Sequence, residues 1–238
     1  LDSKNLVVRA INLYRSKTGF DEFFRVHLHK VIPSRAGMGG GSGDAATTLF
    51  AINQFAGRPV PPKSLEEWSA ELGSDITFFL SSGTCYCTGR GEVLHPQPNM
   101  EPCSNVWLIK PEQGLSTPTV FKNLDYDMLS DEDPLELLDS FKKGLSKARF
   151  LNDLEPPAFK AIPQLKTIKE EILATGFETA LMSGSGTTFF AIGSPSRTEW
   201  PLEFVQKWDC NIWRTEFINR PKDGNLWYKQ QEPFDPPQ

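Results

Sequence analysis

The sequence predicts an α+β fold in two parts, and three observations support this. Segments with apolar residues at helical spacing alternate with short segments rich in β-branched and aromatic residues. Prolines are concentrated in residues 96–102, and a new strand is predicted directly after them at 105–110. A chain of 238 residues is long enough for two small domains. We therefore expect one unit at residues 1–103, a second at 104–220 and a loosely held tail at 221–238.

The first part is predicted to contain a helix, a strand, a glycine-rich loop and a second helix, in that order. Apolar residues recur at helical spacing over residues 5–17, whereas residues 24–32 alternate between apolar and polar as a half-buried strand does. The second helix is expected to run from the loop to Gly57. A short helix with a Ser-x-x-Glu cap at Ser64 and a strand hairpin over residues 83–94 follow.

The second part is predicted to mix helices and strands. The same criteria predict helices at residues 117–123, 134–143, 157–175 and 203–208. They predict strands at residues 105–110, 179–182, 188–192 and 211–218. Two of these strands flank the sequence SGSGT at residues 183–187, which by its residues alone is a hairpin turn.

The glycine-rich loop has the composition of a phosphate-binding segment. Five glycines fall within residues 37–43, directly before a helical run. Glycine reaches positive φ and has no Cβ, so consecutive N–H groups can converge on an anion at the start of the next helix. The loop lacks the lysine of a P-loop and the spaced acidic residue of a dinucleotide site. A phosphate cradle of another type is favoured, and a flexible linker is the alternative.

Composition excludes several other classes of function. The net charge of −5 argues against nucleic acid or an anionic membrane as a main partner. No apolar run is long enough to span a bilayer. The four cysteines lack the paired spacing of a zinc knuckle, and we interpret them as reduced thiols. Because the chain begins at Leu1 without a methionine, we expect it to be a fragment or a processed form.

Four segments together resemble a known family. Residues 33–48 (PSRAGMGGGSGDAATT) are similar to the second motif of the superfamily of galactokinase, homoserine kinase, mevalonate kinase and phosphomevalonate kinase. Residues 181–193 (LMSGSGTTFFAIG) are similar to its third motif. With residues 73–92 and 152–159 (NDLEPPAF), the chain resembles the plastid type of 4-diphosphocytidyl-2-C-methyl-D-erythritol kinases over residues 5–194.

This resemblance implies a fold and an activity. The expected fold is a ribosomal-protein-S5-like N-terminal unit and a ferredoxin-like C-terminal unit, with the active site in the cleft between them. The expected reaction uses ATP and Mg²⁺ to phosphorylate the 2-hydroxyl of a cytidine diphosphate-linked methylerythritol, a small molecule of the non-mevalonate isoprenoid pathway. The expected location is the plastid.

The resemblance also assigns roles to individual residues. Asp75 is expected to be the general base, and Ser42 to reach the metal. ATP contacts are assigned to Pro33, Ala36, Gly37, Gly39, Gly40, Gly41, Ser42, Gly43 and Ala45. Substrate contacts are assigned to Thr117, Phe121, Gly184, Ser185 and Gly186, with Phe121 against the cytosine ring. From the residues alone, Asp75 could instead be a helix cap and Phe121 a core aromatic.

The chain departs from the family pattern in places. Gly43 and Asp44 stand where the family has serine and asparagine, and Thr77 replaces a proline. The serine-proline-alanine-lysine strand with which family members begin is not found ahead of Asn5. Two alternatives therefore stay open: a catalytically impaired nucleotide-binding relative or inactive fragment, and a kinase of the same superfamily that acts on another small alcohol such as homoserine or mevalonate.

Overall fold

The computed structural model describes residues 2–81, 83–100, 103 and 105–218. By its internal contacts, this part of the chain divides into two units. The first unit comprises the described residues 2–21, 42–81, 83–100 and 218, and the second comprises 22–41, 103 and 105–217. The tail predicted at 221–238 lies outside the described residues.

The first unit is mainly helical and carries one hairpin. Its helices are α1 (Leu6–Thr18), α2 (Gly40–Phe55), α3 (Pro62–Ser69) and α4 (Ile76–Leu80). Its strands are β1 (Cys85–Thr88) and β2 (Val93–Pro96), which pair antiparallel. Helix α2 begins two residues before this unit and continues into it. The helices predicted on either side of the glycine-rich loop and the predicted hairpin are confirmed.

Helix α1 shows how local signals set the ends of an element. The Asn5 side chain accepts a hydrogen bond from a backbone N–H in the first turn, and Gly19 ends the helix at φ 73°. The buried face of α1 carries Tyr14, whose hydroxyl lies 3.0 Å from Asn53 Oδ1 on α2. Asn53 in turn bonds both backbone groups of Val60, so one buried amide ties α1, α2 and the following loop together.

The strand predicted at residues 24–32 is wrong. The described structure has no regular secondary structure in this range and pairs none of its residues in a sheet. Val26, Val31 and Ile32 expose 42%, 74% and 45% of their surface, so the alternation does not mark a buried face. A strand needs a hydrogen-bonded neighbour as well as alternation, and alternation is all that the sequence supplies here.

The start of α3 also differs from the prediction. The helix begins at Pro62 with Pro61 in the N-cap position, and no side chain caps it. The predicted cap at Ser64 is therefore wrong, because Ser64 lies inside the helix. Proline supplies the helical φ and lacks the N–H that would be left unpaired in the first turn, so it can begin a helix without a capping side chain.

The second unit is a four-stranded antiparallel sheet with helices. Its strands are β3 (Val106–Pro111), β4 (Thr179–Met182), β5 (Phe189–Ile192) and β6 (Cys210–Thr215). Its helices are α5 (Thr117–Lys122), α6 (Pro134–Lys142), α7 (Glu155–Ala161), α8 (Gln164–Ala174) and α9 (Trp200–Trp208). The spatial order β4-β5-β3-β6 and the helices between β3 and β4 and between β5 and β6 form the predicted ferredoxin-like arrangement. The α+β fold class is confirmed.

The single helix predicted at residues 157–175 is two helices, α7 and α8. Pro163 separates them, and Ile162 before it is extended, with φ −134° and ψ 87°. A proline disfavours helical backbone in the residue that precedes it, so the chain bends here although the apolar spacing continues.

The core of the second unit lies against one face of the sheet. Leu165, Ile168 and Ile172 form the buried stripe of α8, and each is at most 1% exposed. They pack with Ile109 and Phe189 of the sheet. Each such side chain contributes about 1.5–3 kcal/mol by its removal from water.

Residues 22–41 group with the second unit, although the sequence predicts them in the first. Two hydrogen bonds explain this: Thr188 donates its backbone N–H to the Ala36 carbonyl, and the Ser183 hydroxyl donates to the Gly37 carbonyl.

Among the described residues, the helices are too short or too polar to cross a membrane.

Candidate active site

The glycine-rich loop occupies residues 33–41 and continues into α2. Gly37 and Gly39 have φ of 73° and 65°, a region that favours glycine. A Cβ on Gly37 would overlap the Ser183 carbonyl oxygen and lie 3.0 Å from the Gly186 carbonyl oxygen. Only glycine therefore allows the loop to pack this closely on the turn of residues 183–187. This packing does not fit the flexible-linker alternative.

Two carbonyl groups of the loop are held by that turn. Thr188 N donates to Ala36 O at 3.1 Å, and Ser183 Oγ donates to Gly37 O at 2.8 Å. The C=O and N–H of a trans peptide point in opposite directions. The N–H groups of Gly37 and Met38 are therefore directed away from the turn, as in a backbone arrangement that binds an anion.

The start of α2 adds further donors. The helix begins at Gly40, and a Cβ there would lie 2.9 Å from Ile32 Cγ2. The first N–H groups of an α-helix have no partner within it, and the helix dipole favours an anion near them. Ser42 lies in this first turn, two residues after the helix begins. Asp44 falls beyond the first turn.

The nine residues assigned to ATP differ in exposure. Pro33, Gly37, Gly39, Gly40, Ser42 and Gly43 are half-buried, Gly41 is exposed, and Ala36 and Ala45 are buried. Ala36 and Ala45 are 2% and 0% exposed as whole residues, so these two offer almost no surface to a ligand. The loop and the first turn of α2 fit a triphosphate, because their glycines offer backbone donors without side chains of their own. Contacts with ATP stay predictions for all nine residues.

The turn of residues 183–187, called the third-motif turn below, connects β4 and β5. Ser183 N donates to Thr188 O at 2.8 Å, and Gly184 and Gly186 have φ of 54° and 88°. Ser185 Oγ lies 2.8 Å from Thr117 Oγ1 at the start of α5. The structure thus brings together Thr117 and the residues 184–186 that were assigned to the substrate.

Phe121 lies one turn after Thr117 on α5. Its side chain is 51% exposed, so the alternative that it is a core aromatic is wrong. The exposed ring is free of the core packing that would prevent it from stacking on a ligand. Its assignment to the cytosine ring stays a prediction.

Asp75 belongs to the first unit and stands in the N-cap position of α4. Its side chain makes no capping hydrogen bond and is exposed, so the structure does not support a purely capping role. The backbone near it is fixed by a buried 2.9 Å hydrogen bond between the hydroxyls of Ser69 and Thr77. Gly91, in the β1–β2 hairpin, leaves room beside the carboxylate, because a Cβ there would lie 3.5 Å from Asp75 Oδ1.

Lys110 is a polar residue near the site that sequence reasoning missed. It is 3% exposed, and its ammonium group donates to the carbonyls of Pro111, Glu112 and Gln113. Burial lowers the pKa of Lys110, and the nearby charge of Glu112 opposes this shift. Gln113 O also accepts a hydrogen bond from Thr187 Oγ1 at 2.6 Å, next to the third-motif turn. The signal in the sequence is a lysine at the end of an apolar strand.

Comparison with known families gives two matches. Residues 5–83 match the model of the GHMP kinases N-terminal domain, and residues 135–199 match that of the GHMP kinases C-terminal domain. The two matched ranges include Asp75, the glycine-rich loop and the third-motif turn.

Individual relatives give the same result. The chain is 46% identical to a chloroplastic/chromoplastic 4-diphosphocytidyl-2-C-methyl-D-erythritol kinase of Solanum lycopersicum, over 96% of this chain and 58% of that protein. It is 44% identical to the kinase of the same name from Protochlamydia amoebophila, over 95% of this chain and 73% of that protein. A crystal structure of 4-(cytidine 5'-diphospho)-2C-methyl-D-erythritol kinase superposes with a TM-score of 0.73 at 31% identity, over 89% of this chain and 77% of that one.

The extent of these matches determines what they establish. The chain spans 58% of the length of the Solanum lycopersicum relative, which is less than two thirds. It covers 73% of the Protochlamydia amoebophila relative at 44% identity, which is enough to fix the family. The chain belongs to the GHMP kinases and, within them, to the family of 4-diphosphocytidyl-2-C-methyl-D-erythritol kinases.

Proposed function

We propose that the protein transfers the γ-phosphoryl group of ATP to the 2-hydroxyl of 4-diphosphocytidyl-2-C-methyl-D-erythritol, in isoprenoid precursor biosynthesis. The observation that carries the proposal is the hydrogen bond from Ser183 to the Gly37 carbonyl. This bond joins the glycine-rich loop, which we assign to ATP, to the third-motif turn, which we assign to the acceptor. A kinase must hold these two substrates side by side. Membership of the kinase family and the exposed carboxylate of Asp75 support the same reaction.

In this proposal the glycine-rich loop binds the ATP phosphates. The N–H groups of Gly37, Met38 and the first turn of α2 donate to the phosphate oxygens, and the absence of side chains allows close approach. The Ser42 hydroxyl is the group we assign to Mg²⁺. An Mg²⁺ ion held there would supply the positive charge that neutralises the transferred group.

Asp75 is the proposed general base. It accepts the proton of the 2-hydroxyl as that oxygen bonds to the γ-phosphorus and the bond between the γ-phosphorus and the bridging oxygen to the β-phosphate breaks. A carboxylate engaged as a helix cap would be poorly placed to accept a proton, and Asp75 makes no such capping bond. The remaining acceleration comes from alignment of the two substrates and from charge neutralisation.

Thr117, Phe121 and the turn of residues 184–186 are proposed to bind the acceptor. The half-exposed Phe121 ring provides a face for the cytosine, and the linked hydroxyls of Thr117 and Ser185 are hydrogen-bonding groups next to the turn. The plant relatives are named as chloroplastic enzymes, and we propose the plastid as the location of this protein too.

The direct test is a transfer assay with the purified protein, ATP and Mg²⁺. With the cytidine-linked acceptor we expect ADP and a singly phosphorylated product whose new phosphate is on the 2-hydroxyl, as located by phosphorus NMR. Parallel reactions with homoserine and mevalonate should give no product. Faster transfer to either of these alcohols would contradict the proposed acceptor but not the kinase class.

The impaired-relative alternative is favoured by one sequence feature, the pair Gly43 and Asp44 in place of serine and asparagine. A Cβ on Gly43 would lie 3.6 Å from the Phe79 ring, so the fold leaves room for the family's serine there. ATP binding by calorimetry without any phosphoryl transfer would support this alternative. Turnover of the cytidine-linked acceptor would exclude it.

A further inference from the structure

The segment NDLEPPAF, residues 152–159, carries the resemblance to the family but has no residue in the proposed site. In the structure its polar side chains reach the third-motif turn of the same unit. Asn152 and Glu155 both bond to backbone groups of that turn or of the strand end that leads into it. This segment therefore has a structural connection to the site.

Asn152 makes three hydrogen bonds with one side chain. Its Nδ2 donates to the carbonyls of Met182 and Gly184, both at 2.8 Å, and its Oδ1 accepts from Leu154 N at 2.9 Å. The two carbonyls lie on either side of Ser183. A single amide group therefore fixes the Met182–Ser183 and Gly184–Ser185 peptide groups.

Glu155 holds the strand end that leads into the turn. Glu155 is 8% exposed, and its carboxylate accepts from Met182 N at 2.9 Å and from Lys169 Nζ at 2.5 Å. A buried carboxylate with two donors has little freedom to move, since separation from Lys169 would leave its charge uncompensated and separation from Met182 N would leave one oxygen unpaired. Asn152 and Glu155 thus hold Met182 through its C=O and its N–H, respectively.

The effect of these bonds continues to the glycine-rich loop. Ser183, held between the two carbonyls bonded by Asn152, donates its own hydroxyl to Gly37 O at 2.8 Å. The orientation of the Gly37 peptide sets the direction of the Met38 N–H, which is one of the proposed phosphate donors.

We propose that Asn152 is a positioning residue for ATP, which acts through Ser183 on the Gly37 carbonyl and so sets the phosphate-binding N–H groups. This inference rests on the proposed function, since it assigns ATP to the glycine-rich loop. Asn152 itself does not touch the nucleotide.

The test is Asn152→Asp, in which Oδ1 still accepts from Leu154 N, whereas the oxygen that replaces Nδ2 cannot donate and the two donated hydrogen bonds are lost. We expect the Kd for a non-hydrolysable ATP analogue to rise about tenfold by calorimetry, as the loss of one or two hydrogen bonds predicts. The KM for ATP should rise in parallel, with a much smaller change in kcat. Asn12→Asp, the same change on the exposed face of α1, should leave both unchanged.

A purely structural role would lower the melting temperature and leave the affinity of the folded protein unchanged, and that result would overturn the inference. If Asn152→Asp does not fold, Ser183→Ala decides, because it removes the last hydrogen bond of the connection; unchanged affinity in Ser183→Ala would overturn the inference. If both variants fold, the double variant should bind no more weakly than the weaker single one. A wild-type protein that binds no ATP analogue would overturn the proposed function, and the inference with it.

Discussion

Ser183 donates its side-chain hydroxyl to the Gly37 carbonyl oxygen across 2.8 Å, although the two residues are 146 positions apart in the sequence. The approach is close because Gly37 has no Cβ: one placed there would overlap the Ser183 carbonyl oxygen. The atom that a Cβ would overlap belongs to the backbone, which cannot move aside as a flexible side chain can. The glycine-rich loop is therefore fixed by its partner turn as well as by its own sequence.

Gly37→Ala should weaken both the fold and ATP binding. Alanine at φ 73° costs about 1–2 kcal/mol of stability, and the overlap with the turn adds roughly 1–3 kcal/mol. We expect urea unfolding to show the summed loss and calorimetry to show loss of nucleotide affinity. Gly19→Ala is the matched control, because Gly19 has the same φ of 73° and a Cβ there would meet no atom within 4 Å. Equal losses of stability in the two variants would contradict the overlap.

Asp75→Ala should remove activity without loss of stability. A positioned general base contributes about 10²–10⁴-fold to the rate, so kcat should fall by that factor. The melting temperature should not fall, because the exposed carboxylate makes no capping bond. Asp133→Ala is expected to do the reverse. Asp133 caps α6 through a 2.8 Å bond from Leu135 N, so its loss should cost about 1 kcal/mol and leave kcat unchanged. A kcat for Asp75→Ala within twofold of wild type would exclude the base assignment.

Phe121→Ala should raise the KM for the cytidine-linked acceptor and leave the KM for ATP unchanged. Stacking of a base on an aromatic ring is worth about 1–3 kcal/mol, so the KM is expected to rise by roughly 5-fold to 150-fold. The half-exposed ring adds little to the core, so the melting temperature should change by only a few degrees. Phe121→Tyr should retain most of the affinity, and Phe55→Ala, at a 76% exposed position, is the control. A rise in both KM values would point to a structural role instead.

Elements with strong local signals could be predicted from the sequence. Asn5 and Gly19 mark the ends of α1, and the two hairpins, β1–β2 and β4–β5, follow from short strand-forming segments separated by turn residues. The glycine-rich loop was recognisable because its chemistry lies in a few consecutive residues. In each of these cases the determining contacts are close in sequence.

The sequence could not supply contacts between distant residues. The hydrogen bonds from Asn152 to the third-motif turn span 30 and 32 positions, and no local pattern encodes them. The same limit explains the error at residues 24–32, where alternation was present but a pairing partner in the described chain was not. For α7 and α8, the apolar spacing continues past Pro163 and predicts one helix, although the proline disfavours helical backbone at Ile162.

Lys110 should make the stability of the protein depend on pH in the alkaline range. Burial lowers its pKa in the fold below the ordinary value of 10.5. Between the folded and the unfolded pKa, the unfolded chain binds the extra proton, so the free energy of unfolding rises with pH in this window. Below the folded pKa, lysine is charged in both states and the full cost of burying the charge is present.

The check is urea unfolding of wild type and Lys110→Met from about pH 8 to about pH 10.5, with the difference in free energy of unfolding as the measured quantity. We expect the free energy of unfolding of wild type to rise relative to that of Lys110→Met as the pH rises, since methionine does not titrate. For the control Lys143→Met, at an exposed position of the same unit, the difference in free energy of unfolding from wild type should not change with pH, because Lys110 is retained. A difference that falls with pH would mean that the three backbone carbonyls around the Lys110 ammonium group stabilise its charge more than burial destabilises it.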